Sequence, residues 1–265
     1  MKLKEGRYIS MIMIKEKYFC DIYRKLCKEI MEHYIDNPMD EVRYAHGDSA
    51  DKSEMAISMR NVCFELENPI SCRFDNDVRS PNRSAGWREG LMLFNPSNEI
   101  KYMPWYKPFS RDGIHSYSMY GQHIYPYLKK ICNKLRNTEF KTRQCVFTIY
   151  QNKFNVWNRD ETDVPCNLLG IFDVIDNKLN LTLILRSNDI YLGTPYNVQM
   201  FCFLQQVIAT ELGLELGTYT HFVRNLHCYL RDIQTIEKSL YTPFRPAYMF
   251  VRYNLKEAIA EAKKY

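Results

Sequence analysis

The residues around Cys166 are of the types that nucleophilic chemistry at sulfur requires. Cys166 follows Pro165 at the end of a polar segment and precedes an apolar stretch that begins at Leu168. This context predicts a thiol at the entrance of a strand rather than inside the core. Arg186 and Ser187 end another apolar stretch, one predicted hairpin later. A guanidinium close to the thiol would favour the thiolate, which is the nucleophilic form.

The cysteine pattern predicts free thiols rather than disulfides or a zinc ribbon. The chain has nine cysteines, an odd number, without any Cys-x-x-Cys pair. We therefore expect a reducing compartment and a cytoplasmic location. A cysteine in apolar surroundings is usually a small buried hydrophobic residue, so the neighbours of Cys166 are what distinguish it.

Composition excludes several classes of protein. Of the 265 residues, 46% are hydrophobic and 25% charged, which permits a packed core and argues against global disorder. A net charge of +5 suits the binding of small anions and is too low to indicate a partner that is a nucleic-acid polymer. No apolar run approaches the length of a membrane span, and the first residues do not resemble a secretory signal.

Hydrophobic periodicity predicts alternating helices and strands without an internal repeat or linker. The predicted helices cover residues 15–36, 84–95, about 120–136 and 198–212, and a charged helical tail ends the chain. Strands are predicted at 59–68, 145–150, 168–175, 179–186 and from 218 onward, with loops at 37–58 and 104–118. We expect one α+β domain over residues 1–265, with a mixed or mostly antiparallel sheet flanked by helices.

Four motifs together resemble the thymidylate synthase family. In that family a Pro-Cys nucleophile is followed by Arg-Ser-x-Asp, Leu-Gly-x-Pro-aromatic-Asn and His-x-Tyr. The same order occurs here at 164–166, 185–189, 192–197 and 227–229. Weaker similarities cover 88–102, which resembles the helix with the family glutamate, the Tyr-Gly motif at 119–121 and the arginine segment at 142–144. The resemblance is dense from about 89 to 232, so residues 1–58 and 236–265 are expected to diverge.

The resemblance implies a catalytic group. Cys166 would add to C6 of a pyrimidine nucleotide, Glu89 would organise proton transfers through water, and Tyr120 would help remove the C5 proton. The one-carbon unit would come from 5,10-methylenetetrahydrofolate. The full set of catalytic residues that it implies is Cys166, Glu89, Tyr120, Asp189 and Asn197.

The resemblance also implies how a dUMP-like nucleotide and folate would bind. Arg186 and Ser187 would hold the phosphate, and Arg143 would reach the partner's site in a homodimer whose sheets pack back to back. Asp189 would touch the pyrimidine edge, and His227 with Tyr229 would bind the sugar hydroxyl. The implied substrate residues are Arg143, Arg186, Ser187, Asn188, Gly193, Asn197, His227 and Tyr229. The implied folate residues are Glu89, Trp105, Asp189 and Gly193, and no metal ligands are implied.

Asn197 is the residue that bears on the choice of base. An amide can donate to O4 of uracil and accept from N3–H. A carboxyl group at the matching position suits cytosine, as in the deoxycytidylate hydroxymethylases of phages. Asn197 therefore predicts dUMP as the substrate.

Several positions depart from the family pattern. Asn167 stands where many members have histidine, and Gln144 replaces a second arginine. Lys52 with Ser53, or alternatively Arg43, is the nearest counterpart of an N-terminal phosphate arginine. The chain ends in a charged segment rather than in the apolar terminus that closes over folate in ordinary thymidylate synthases.

These departures leave three functions open, of which we expect thymidylate synthase. Asn197 and the motifs at 186–197 favour a thymidylate synthase that makes dTMP and dihydrofolate. The missing apolar terminus favours a dUMP or dCMP 5-hydroxymethylase, in which water replaces hydride in the last step. A non-catalytic nucleotide-binding relative is the third alternative, and the joint retention of the five catalytic residues argues against it.

Overall fold

Strand β8 forms the centre of a mixed sheet in the computed structural model, which describes residues 11–36, 55–110, 112–151 and 163–265. Within these residues the strands are β1 (Ile12–Glu16), β2 (Ala56–Leu66), β3 (Arg73–Asp75), β4 (Val146–Thr148), β5 (Asn167–Ile175), β6 (Lys178–Leu185), β7 (Asn188–Asp189), β8 (Glu215–Tyr229) and β9 (Arg245–Ala247). The order in the main sheet is β1-β2-β8-β6-β5-β4, with β7 also paired to β8. Parallel pairs (β1 with β2, β6 and β7 with β8) and antiparallel pairs (β2 with β8, β4 with β5, β5 with β6) coexist. The expectation of a mixed sheet is confirmed.

Helices cover one face of this sheet. They are α1 (Phe19–Asp36), α2 (Arg83–Met92), α3 (Gly121–Asn137), α4 (Gly193–Leu212), α5 (Leu230–Leu240) and α6 (Leu255–Ala262). In β6, Leu179, Leu181, Leu183 and Leu185 are fully buried, whereas the residues between them are partly exposed, as their alternation predicts. None of the helices in the described part of the chain has the length and apolar character of a membrane span.

Helix α2 is held close to α4, and this contact positions Glu89. A Cβ atom on Gly90 would lie 2.6 Å from the Phe203 ring of α4, so glycine permits the close approach of the two helices. The Asn82 side chain caps α2 by accepting a hydrogen bond from the Ala85 N–H. The face of α2 that carries Glu89 is consequently turned toward the interior.

Several predicted boundaries are wrong. The helix predicted at 15–36 begins only at Phe19, because residues 12–16 form β1 beside β2, where Ile14 is buried between Met13 and Lys15 in strand alternation. The predicted loop at 37–58 includes the start of β2 at Ala56, and its residues 37–54 lie outside the described residues. Helix α4 begins five residues before the prediction, at Gly193, and the predicted loop at 104–118 contains a 3-10 helix, Pro104–Phe109.

Candidate active site

Arg186, which the sequence predicts to lie near Cys166, fixes the loop that carries this cysteine. Cys166 immediately precedes β5, and Arg186 immediately follows β6. The Arg186 N–H donates to the Cys166 carbonyl oxygen at 3.0 Å. Its guanidinium donates from Nε to the Pro165 carbonyl and from Nη2 to the Val164 carbonyl, both at 3.0 Å. The predicted approach of the two residues is confirmed, and Cys166 is partly exposed at the strand entrance.

A buried carboxylate anchors the same loop to the segment that leads into Tyr120. Asp163 is 2% exposed. Its carboxylate accepts hydrogen bonds from the N–H groups of Tyr117 (2.6 Å) and Ser118 (2.7 Å) and from the hydroxyls of Ser116 (3.0 Å) and Ser118. Charge-assisted hydrogen bonds of this kind are about twice as strong as neutral ones. Asp163 therefore fixes the position of Cys166 relative to Tyr120.

Glu89 is buried rather than solvated on its helix. Only 8% of the residue is exposed, and burial raises the pKa of its carboxyl to about 7, an effect that the hydrogen bond from Trp105 partly offsets. The indole Nε1–H of Trp105 donates to Glu89 Oε1 at 3.0 Å. A carboxyl group with a pKa near 7 can both take and release a proton at neutral pH.

Tyr120 lies where the other reactive groups meet. It immediately precedes α3, and burial raises the pKa of its hydroxyl well above the usual range. Negative charge on Cys166 and Glu89 raises this pKa further, whereas Arg186 lowers it, so all three groups lie within electrostatic range of the phenol. Tyr120 and Glu89 also line one small cleft.

Asn167 completes the surroundings of Tyr120. Its side chain lies close enough to favour the ionised form of the phenol. Both polar atoms of the Asn167 amide are nevertheless buried without a hydrogen-bond partner at normal distance. A buried amide in this state has the capacity to bind a water molecule or a substrate atom.

Ser187, which follows β6, lies close to the last residues of β8. Ser187 Oγ lies 3.2 Å from Nδ1 of His227, and both side chains are buried. The rings of His227 and Tyr229 meet edge to face, with centroids 5.2 Å apart. The structure thus brings Arg186, Ser187, His227 and Tyr229 to one edge of the sheet, as the motifs predict.

A family model described as thymidylate synthase matches residues 104–263, more than half of the chain. The chain belongs to the thymidylate synthase family. Among curated proteins, it is 30% identical over 202 residues to the deoxyuridylate hydroxymethyltransferase of Bacillus phage SP01. That similarity covers 69% of this chain and 53% of the relative, so the chain spans about half the length of the relative that it matches.

Trp105 and Arg143, which the thymidylate synthase resemblance implied, are both exposed. Trp105 is 39% exposed, and its indole lies against Glu89. Arg143 is exposed ahead of β4, and none of the hydrogen bonds shown between described residues joins it to the Cys166 group. Lys52, Ser53 and Arg43 lie outside the described residues. Among the described residues, no cluster of His, Cys, Asp and Glu could hold a metal ion.

Asp189 forms the turn that starts α4. Its carboxylate accepts hydrogen bonds from the N–H groups of Tyr191 (2.8 Å) and Leu192 (3.2 Å). Although part of the residue reaches the surface, the carboxyl is enclosed, and burial raises its pKa to about 6. The Asp189 carbonyl accepts from the Thr194 hydroxyl at 3.0 Å. The visible role of Asp189 is to hold the segment between β7 and α4.

Asn197 and Asn188 are hydrogen-bonded to each other inside the protein. Asn197 Nδ2 donates to Asn188 Oδ1 at 3.1 Å, and Asn188 Nδ2 lies 3.1 Å from Nε2 of His221. His221 Nδ1 lies 2.8 Å from the Tyr219 hydroxyl. The sequence analysis did not identify His221, Tyr219 or Asp163 as site residues, and only the two-residue spacing of Tyr219 and His221 on one strand face could have related that pair.

Proposed function

We propose that this protein transfers a one-carbon unit from a folate to C5 of dUMP through a covalent adduct on Cys166. The observation that carries the proposal is that Cys166, Arg186 and Glu89 all lie within electrostatic range of Tyr120, with Arg186 hydrogen-bonded to the loop that carries Cys166. Each of these groups suits a separate requirement of the reaction, and the family to which the chain belongs is named for chemistry of this type.

The first requirement is to make C5 nucleophilic. Addition of the Cys166 thiolate to C6 forms a carbon–sulfur bond and moves the pair of electrons of the C5–C6 double bond toward C5 and O4. The Arg186 guanidinium holds the loop that presents this sulfur through its hydrogen bonds to the Pro165 and Val164 carbonyl oxygens. The same bond breaks when the product leaves, which returns the thiolate.

The second requirement is to remove the proton from C5. Tyr120, beside Cys166, would orient a water molecule that takes up this proton, because its own hydroxyl stays protonated. Glu89, with its pKa near 7, is placed to pass protons between the cleft and the base. The position of Tyr120 relative to the sulfur depends on the Asp163 anchor.

The nucleotide is proposed to lie along the edge of the sheet. Arg186 and Ser187 would hold its phosphate, because a guanidinium provides paired donors and a hydroxyl provides another. His227 and Tyr229 would bind the sugar hydroxyl. Asn197 would contact the base from α4.

The folate ring is proposed to bind beside Glu89, where a cavity of about 10 Å³ would have to widen to admit it. Its lining includes Met103, Tyr106 and Met119, and these apolar and aromatic side chains suit the faces of a fused heterocycle. Trp105 would add part of the wall and Glu89 a polar contact. When bound, 5,10-methylenetetrahydrofolate supplies the one-carbon unit at the oxidation level of formaldehyde.

The last step is proposed to use water and to yield 5-hydroxymethyl-dUMP. The similarity to a deoxyuridylate hydroxymethyltransferase supports this outcome, and so does the buried, unpartnered amide of Asn167 next to Tyr120, which can orient a water molecule. Hydride transfer to give dTMP is the second candidate, favoured by the motifs at 186–197.

The unit in solution is proposed to be a homodimer formed through the open face of the sheet. The residues of that face are only partly exposed, and they include Leu169, Ile171, Ile184 and Phe222, an apolar set that a partner would cover. Arg143, exposed ahead of β4, would then be available to the partner's site.

The nucleophile is tested by incubating the protein with 5-fluoro-dUMP and 5,10-methylenetetrahydrofolate. Mass spectrometry is expected to find a covalent ternary adduct on Cys166, because fluorine at C5 prevents the loss of the proton that would release it. Cys166→Ser should abolish the adduct. Cys63→Ser is the matched control, since Cys63 is the other partly exposed cysteine of the described residues. An adduct that survives Cys166→Ser would contradict the proposal.

The product is tested by incubating the protein with dUMP and the same folate. A gain of CH₂O in the nucleotide, without dihydrofolate, is expected for hydroxymethylation. A gain of CH₂ with an equal amount of dihydrofolate would assign the chain as a synthase instead.

A further inference from the structure

A chain of buried, uncharged side chains runs inward from Asn197. It passes through Asn188 on β7 to His221 and Tyr219 on β8, and we call these four residues the amide relay. The three contacts measure 3.1, 3.1 and 2.8 Å. Asn197 is 8% exposed, Asn188 3%, and the other two are fully buried.

The direction of the hydrogen bonds in the relay can be assigned link by link. Burial lowers the pKa of His221 to about 3, so its ring is neutral and carries one proton. Asn188 Nδ2 donates to Nε2, which makes Nε2 the acceptor and places the proton on Nδ1. Nδ1–H then donates to the Tyr219 oxygen. At the other end Asn197 Nδ2 donates to Asn188 Oδ1. Every donor therefore points from Asn197 toward Tyr219.

The packing keeps the central members of the relay in place. The His221 ring stacks on Phe64 of the neighbouring strand, with centroids 4.6 Å apart and planes inclined by 8°. Asn188 Oδ1 fits against Gly193 at the start of α4, where a Cβ would lie 2.4 Å away. Ring rotation of His221 and rotation of the Asn188 amide both require this packing to open.

The direction of the relay matters because an asparagine amide can recognise either pyrimidine. Uracil presents the acceptor O4 beside the donor N3–H, and cytosine presents a donor amino group beside the acceptor N3. Turning the amide by 180° exchanges its donor and acceptor, so a freely rotating asparagine would bind both edges equally well. Discrimination needs something that prevents the turn.

We propose that the amide relay fixes the orientation of the Asn197 amide and thereby makes the site select a uracil over a cytosine nucleotide. Asn188 accepts from Asn197 Nδ2, which leaves the Asn197 oxygen and one N–H for the base. Reversal would require the whole chain to change direction, with the His221 proton moved to Nε2. Asn188, His221 and Tyr219 are positioning residues that act through Asn197. This inference rests on the proposed function, since it assumes that Asn197 contacts the base.

The test compares Asn188→Leu with Asn188→Asp in the full chain. Leucine has a similar volume but cannot accept from Asn197. Aspartate keeps an acceptor toward Asn197. Its second oxygen can accept from His221 once the His221 proton has moved from Nδ1 to Nε2. Dissociation constants for dUMP and for dCMP are measured by titration calorimetry, with thermal unfolding as a check of folding. His221→Phe, which keeps the stacking on Phe64 and removes the acceptor, provides a second disruption of the relay.

We expect the preference for dUMP over dCMP to fall about tenfold in Asn188→Leu and His221→Phe, equivalent to about 1.4 kcal/mol, partly through tighter binding of dCMP. Asn188→Asp should retain the preference within about threefold. An unchanged ratio in both disrupting variants, even with weaker binding of both nucleotides, would show a merely structural role and overturn the inference. Wild-type protein that binds neither nucleotide would overturn the proposed function as well.

Discussion

The Cys166 group and the amide relay solve different problems with different chemistry. The Cys166 group (Cys166, Arg186, Glu89 and Tyr120) consists of ionisable side chains, of which Cys166 and Arg186 reach the surface and Glu89 and Tyr120 are buried. Its loop is fixed by Arg186 and Asp163. The relay consists of neutral side chains on β7, β8 and α4, closed to solvent and aligned by packing. Bond making needs groups that exchange protons with substrate and water. Base selection needs hydrogen-bond donors and acceptors whose direction cannot change.

Burial shifts the pKa of a side chain in both regions, with opposite consequences. Around Glu89, burial raises a pKa into the neutral range and creates a group that titrates in use. Around His221, burial lowers the pKa far below neutrality and produces a group that never titrates. The same physical effect thus yields a reactive residue in one region and a fixed one in the other.

Among the substitutions below, replacing Glu89 should lower turnover the most. Glu89→Gln is expected to lower kcat by about 10²- to 10³-fold, because the amide cannot carry the proton. It should also remove a pH-dependent group with a pKa near 7 from the kcat profile. Glu99→Gln, which alters an exposed carboxylate paired with Lys101, is the control, and equal profiles for the two variants would contradict the role of Glu89.

The same variant tests the sign of the stability change with pH. Between about pH 4.5 and 7 folded Glu89 retains a proton that the unfolded chain has lost, so wild-type stability should fall as pH rises through this window. The expected loss, relative to Glu89→Gln, is on the order of 3 kcal/mol by pH 8. Urea unfolding at several pH values measures it, and a stability difference independent of pH would be inconsistent with the buried carboxyl.

Removing the Asp163 anchor should have an intermediate effect. In Asp163→Asn, the new NH₂ group faces donors that previously met a carboxylate oxygen, so the loop loses its fixed position. We expect kcat/KM to fall about 10- to 100-fold and stability to fall by about 2 kcal/mol. Asp173→Asn is the matched control, because Asp173 accepts a single hydrogen bond from Asn180 on the neighbouring strand. Activity retained in Asp163→Asn would show that the loop holds Cys166 without this anchor.

Substituting Tyr219, at the end of the relay farthest from Asn197, should have the smallest effect on turnover and stability. Tyr219→Phe removes the acceptor of the His221 Nδ1–H and is expected to cost about 1 kcal/mol of stability. Turnover of dUMP should change less than about threefold, because Tyr219 lies at the end of the relay away from the base and touches no substrate atom. The preference for dUMP should decline less than in Asn188→Leu. A large loss of turnover with dUMP would mean that the relay takes part in catalysis.

Local side-chain patterns predicted many of the helices and strands, and the wrong boundaries occur where pairing with a distant strand decides the structure. The alternating leucines of β6 and the periodicity of α4 appear correctly because side-chain spacing is a local property. Residues 15 and 16 were wrongly assigned to a helix because a short edge strand such as β1 depends on its pairing with β2, whose residues lie 50 positions later in the chain. The length of β4 likewise depends on its partner β5.

The sequence by itself determined the family, the predicted nucleophile and the order of the site motifs, because these depend on residue types and spacing along the chain. Tertiary structure decided what those residues meet. It joined Asp163 to the segment before Tyr120, placed Trp105 on Glu89, and linked Asn197 through Asn188 to His221 and Tyr219. Burial, and with it the pKa of Glu89 and the protonation of His221, follows from neighbours contributed by distant parts of the chain. Spacing along the sequence carries no record of these neighbours.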